Sequence, residues 1–162
     1  MNKKSITERR RENYLFYILI FISLIISNIG IIFFEDSRIM PNYFIGLILA
    51  FLITNTADLN LYKLMAFGLL IDLFAGQLLG QHSLIFIILY LLYFLINKML
   101  IIKTEIQSSS VSIFLILISF IIVWLTSQSH DIFRSPNLLL LQGILTFFTY
   151  LIFKTVINKF TE

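Results

Sequence analysis

Long apolar runs set the pattern of this chain, and short polar clusters punctuate them. Residues 14–34, 83–102, 111–128 and 137–157 are each close to the roughly 20 apolar residues that a transmembrane helix needs. Residues 42–78 make a further run that is too long for one helix, and its polar break is Asp58-Leu59-Asn60. This stretch reads as a hairpin of two short helices, 42–57 and 61–78. The pattern therefore predicts an all-α, polytopic protein with about six transmembrane helices. The two short segments sit near the lower limit for a span, so a five-span chain is the alternative. Pro41 and Pro136 are each expected in the first turn of a helix, where the missing N–H costs nothing.

Composition agrees with a bilayer. Of the 162 residues, 59% are hydrophobic and 13% charged, against roughly 25% charged in a soluble domain. Too little polar residue remains to cover one soluble core, and the mean hydropathy of +0.93 points the same way. The loops 35–40, 77–82 and 129–135 are too short to fold separately. Residues 1–162 thus read as one transmembrane domain that begins with a basic segment, 1–13. The apolar run after Glu12 is longer than the roughly 7–15 residues of a signal-peptide core, so an uncleaved first helix is expected.

Charge gives an orientation. The net charge is +3, and its placement argues for membrane topology rather than nucleic acid. With six spans and the N-terminus inside, Lys3, Lys4, Arg9, Arg10, Arg11, Lys63, Lys98, Lys103, Lys154 and Lys159 all lie inside. Outside are Arg38 and Arg134. Cytoplasmic loops carry such an excess, so both termini are expected in the cytoplasm.

Chemistry-bearing residues are sparse. The chain has no cysteine, which excludes disulfides and thiolate sites. Its two histidines, His82 and His130, fall in expected outer loops. No HExxH, phosphate loop or paired intramembrane carboxylate is present, so no catalytic residue, metal site or cofactor is expected. Asp72 is the acid deep within a span, near mid-membrane on the six-span reading. An ionised Asp there costs roughly 2.5–3.5 kcal/mol, so it should face protein or a wet cavity. Gly68, Asp72, Gly76 and Gly80 recur every four residues, which predicts one face of a helix, and Gly76–Gly80 is a GxxxG. Two readings of this face stand: a tight helix crossing in which Asp72 bridges polar groups of a neighbour, or a binding face for a partner or polar ligand. Asn28, Thr54, Asn55, Gln128 and Gln142 are expected to make interhelical hydrogen bonds, and Ser23 and Ser27 to pack closely.

The run from Gly68 through Asp72 and Gly76 to Gly80, continuing into Gln81-His82-Ser83-Leu84, resembles the third-helix signature of the MreD family. Met40-Pro41-Asn42-Tyr43 resembles that family's R-P-N-W-like entry to the second helix, with Met and Tyr in the outer places. The resemblance implies a non-enzymatic inner-membrane subunit of the rod-shape and lateral peptidoglycan-synthesis machinery, the elongasome. Its implied partners are an MreC-like protein and, beyond it, MreB, RodZ, RodA and the penicillin-binding transpeptidase of RodA. Gly68, Asp72, Gly76, Gly80, Pro41 and Asn42 become the expected packing or partner-binding residues. The family is also similar in fold to the substrate-binding subunits of energy-coupling-factor transporters. That likeness supplies the alternative function, a small-molecule-binding transporter subunit.

Overall fold

A computed structural model describes residues 6–33, 40–75, 79–100, 104–128 and 136–161. Among them are six helices: α1 (Ile6–Phe33), α2 (Tyr43–Thr54), α3 (Leu61–Ala75), α4 (Gln81–Leu100), α5 (Glu105–Gln128) and α6 (Pro136–Thr161). The expected all-α architecture and helix number are thus observed. By length and composition, stretches of α4, α5 and α6 are each apolar enough to cross a membrane.

Helix ends follow local capping. Asn42 caps α2 by accepting the Ile45 N–H at 3.1 Å, so Pro41 precedes the cap instead of opening the helix. That corrects the expected position of Pro41, whereas Pro136 is the first residue of α6. Asn55, in the left-handed region at φ 50°, ends α2. The break at Asp58-Leu59-Asn60 is observed, and Asn60 caps α3 through the Lys63 N–H at 2.9 Å. Thr104 and Gln107 exchange backbone and side-chain hydrogen bonds, a capping box that starts α5 six residues before the expected Val111. The C-terminal ends of the expected spans at 34, 76–78 and 101–102 lie outside the described residues.

α2 is the centre of the bundle. Phe44 through Leu52 are all buried, as a helix apolar on every side requires. Twelve residues rise only about 18 Å, well short of the roughly 30 Å of a hydrocarbon core. The two short helices were expected to form a hairpin, yet α2 packs chiefly on α6 and α3 chiefly on α4. Glycines permit both pairings. A Cβ at Gly46 would stand 2.5 Å from Thr149 Oγ1 and 3.1 Å from the Tyr150 nitrogen. A Cβ at Gly68 would collide with the Ser83 backbone and lie 2.7 Å from its Oγ. That hydroxyl donates to the Met65 carbonyl at 2.8 Å, tying the α3–α4 crossing.

Two of the residues expected to bond between helices, Asn28 and Thr54, bond their own backbone instead. Asn28 donates to the Leu24 carbonyl, and Thr54 to that of Ala50. Both partners lie one turn back, the nearest acceptors available without a neighbouring helix. Ser23 is buried on α1, as close packing there requires. The outer surface is apolar, with Leu73, Phe94 and Phe148 all exposed. Between α5 and α6 runs an apolar groove of about 620 Å³, lined by Phe120, Trp124, Gly143 and Phe147 among others.

Candidate functional site

The glycine–aspartate motif does not lie along one helix face. Gly68 and Asp72 share α3, which is described as far as Ala75. Asp72 lies in the last described turn of that helix. Gly76, and the GxxxG that includes it, lies outside the described residues. Gly80 sits in the turn before α4 with φ +90°, and a Cβ there would meet nothing within 4 Å. Its requirement is the left-handed backbone, which L side chains adopt at a cost, rather than a close helix approach.

That turn returns the chain onto Asp72. The Gly80 carbonyl accepts the Leu84 N–H at 2.9 Å, which makes Gly80 the N-cap position of α4. An N-cap side chain ordinarily accepts an N–H from the first turn, and glycine has none. Asp72 supplies the missing oxygen from α3. Its Oδ2 accepts the Gly80 N–H at 2.8 Å, and both oxygens share the His82 N–H at 3.2 and 3.3 Å. The carboxylate is 1% exposed, so these bonds and the positive end of the α4 dipole replace its lost water.

His82 extends the network. It was expected in an outer loop, but the end of α3 at Ala75 and the cap at Gly80 place it in the first turn of α4. Its ring is buried against Phe44 and Phe86. Nδ1 lies 2.7 Å from Asp72 Oδ1, and Nε2 lies 3.3 Å from Asn42 Nδ2. The Asn42 amide is oriented by its other end, because Oδ1 takes the Ile45 N–H. An amide nitrogen only donates, so Nε2 accepts and the ring proton sits on Nδ1, toward Asp72. Asn42 in turn donates its backbone N–H to Thr146 Oγ1 at 2.9 Å. One chain of bonds thus joins α3, α4, α2 and α6. Pro41 stays at its margin.

A second polar cluster went unrecognised in the sequence. Lys154 on α6 is buried and donates to Ser108 Oγ at 3.1 Å, and that hydroxyl lies 3.3 Å from Tyr150 Oη. In sequence, Lys154 reads as one more inside charge and Ser108 as part of a loop. The only available signal was their placement late in one apolar run and just before another.

Both clusters hold helices together, and no group of three or more His, Cys, Asp or Glu that could bind a metal occurs among the described residues. In the Asp72 cluster, each carboxylate oxygen and each ring nitrogen already has a partner within the protein. Comparison with known proteins gives the family. The family model described as "rod shape-determining protein MreD" matches residues 9–160, and that family is one of shape-determining structural proteins rather than a known enzyme family. Neither curated proteins nor solved structures give a match, so the likeness to transporter subunits gains no support. With the match covering nearly the whole chain, and with helices apolar and long enough to cross a membrane, the chain belongs to the MreD family of rod shape-determining membrane proteins.

Proposed function

We propose that this protein is a six-span, non-enzymatic subunit of the inner membrane that works with an MreC-like protein as a scaffold or regulator of wall elongation. Both termini face the cytoplasm. MreB and RodZ on the inside, and RodA with its transpeptidase, complete the machinery it serves. The family match over residues 9–160 carries this reading. Two further observations support it. Basic residues gather on one side of the six-span arrangement, as cytoplasmic segments do. The most acidic buried site is used up in joining four helices, which favours a rigid platform over a ligand pocket. On this topology the Asp72 cluster lies toward the outer end of the bundle and Lys154 toward the inner end. A clean deletion in a rod-shaped host should give rounded cells that the wild-type chain restores. An MreC-like protein should copurify with the chain from membranes. Normal rods after deletion would overturn the wall-elongation reading.

A further inference from the structure

We infer that His82 is a proton-operated latch on the start of α2: the neutral ring holds the Asn42 cap closed, and proton uptake at Nε2 releases it. The inference rests on the direction of the hydrogen bonds. Asn42 presents Nδ2 to His82 Nε2 at 3.3 Å only because its Oδ1 is committed to the Ile45 N–H at 3.1 Å. A proton arriving at Nε2 sets two donors against each other. The local remedy is rotation of the Asn42 amide, which turns Oδ1 toward the ring. The same rotation turns Nδ2 toward the Ile45 N–H and undoes the cap. Asp72 does not oppose the change, since Nδ1–H keeps its 2.7 Å partner in both states.

The surroundings leave the movement to Asn42. α3 brings Asp72 to the ring, the charged group there among the described residues. α2 brings Asn42 and Phe44, and α4 itself brings Phe86. α6 meets the site through Thr146, which holds the Asn42 backbone N–H. α5 reaches only the neighbouring Gln81, through Thr126. His82 is 1% exposed, whereas Pro41, Asn42 and Tyr43 are partly exposed. Thr146 keeps the Asn42 backbone N–H through the rotation, so the opening is confined to the first turn of α2. The latch depends on this geometry alone. Only the placing of its solvent side outside the cell rests on the topology proposed above.

The test uses the full chain in lipid nanodiscs. His130→Gln leaves His82 as the sole histidine, so imidazole 15N resonances report its tautomer and titration directly. The expected result is an Nδ1–H tautomer at neutral pH and, once acidification has protonated the ring, a parallel rise in Ile45 amide exchange. After correction for intrinsic pH dependence, that rise should be roughly 2- to 30-fold, as loss of an N-cap allows. His82→Asn keeps a side-chain N–H for Asp72 without an ionisable ring and should leave Ile45 exchange flat with pH. An Nε2–H tautomer at neutral pH, a ring that cannot be protonated while the chain stays folded, or ring protonation without a change at Ile45 would each overturn the inference.

Discussion

Three glycines in this protein should answer a single added methyl in three different ways. At Gly68 the methyl meets the Ser83 backbone, with Ser83 Oγ 2.7 Å away. Carbon contacts ordinarily lie at roughly 3.5–4.0 Å, so α3 and α4 must part by roughly 1 Å. A backbone cannot rotate aside as a side chain can, and such overpacking costs about 1–3 kcal/mol. The separation also reaches Asp72, one turn along the same face. Its 3.2 and 3.3 Å bonds to the His82 N–H then exceed hydrogen-bonding range, which costs about 1.5–3 kcal/mol more for a charged acceptor. Gly68→Ala should therefore lose about 2.5–6 kcal/mol, a large part of a membrane bundle's stability. Gly80→Ala meets open space but keeps φ near +90°, at a cost of about 1–2 kcal/mol. Gly143→Ala makes ordinary contacts of 3.7 and 3.9 Å with the Phe120 ring and should be neutral to about 1 kcal/mol stabilising. Equilibrium unfolding in mixed micelles would rank the three. A Gly68→Ala protein as stable as wild type would refute the close crossing of α3 and α4.

Other sites give sharper expectations than sequence allowed. Asp72→Asn has one acceptor oxygen where the carboxylate takes three N–H groups, so at least one buried donor is stranded; a loss of about 1–3 kcal/mol is expected, and unchanged unfolding would disprove the capping role. Asn42→Ala should cost about 0.5–2 kcal/mol, whereas Pro41→Ala, one residue earlier and outside the helix, should change the melting temperature little. Reporter domains fused after Ser109 and after Glu162 should both read as cytoplasmic, and a periplasmic C-terminus would favour five spans.

Sequence made some of these features visible and hid others, for physical reasons. Apolar run length gave the helices, because lipid solvates every face and leaves no finer pattern to interpret. Asp72 stood out because a buried charge is expensive, and Gly68 because it shares the helix face of Asp72. Four-residue spacing then misled at Gly80. The same interval that stacks residues on a helix also spans the turn after α3, and spacing alone cannot tell φ +90° from a helical angle. His82 was hidden for a related reason, since a cap donated by another helix leaves no local signature. Gly46 was missed because nothing polar marks its face; only Thr149 and Tyr150, a hundred residues later, reveal why the space is needed. Lys154 lay within an inside-positive pattern that a buried lysine satisfies equally well.

The pairing of α2 with α6 also bears on how the protein is made. Asn42 and Thr146 lie 104 residues apart, and at roughly 5–20 residues per second a ribosome needs about 5–20 s to cover that interval. Until then the most apolar helix of the chain, too short to span a bilayer unaided, lacks its main neighbour. Capture during synthesis, by lipid or by the insertion machinery, must bridge that wait, and the α2–α6 pairing begins only as α6 leaves the ribosome. Truncations within α6 should therefore strand α2 at the insertion stage rather than yield a slightly weakened bundle.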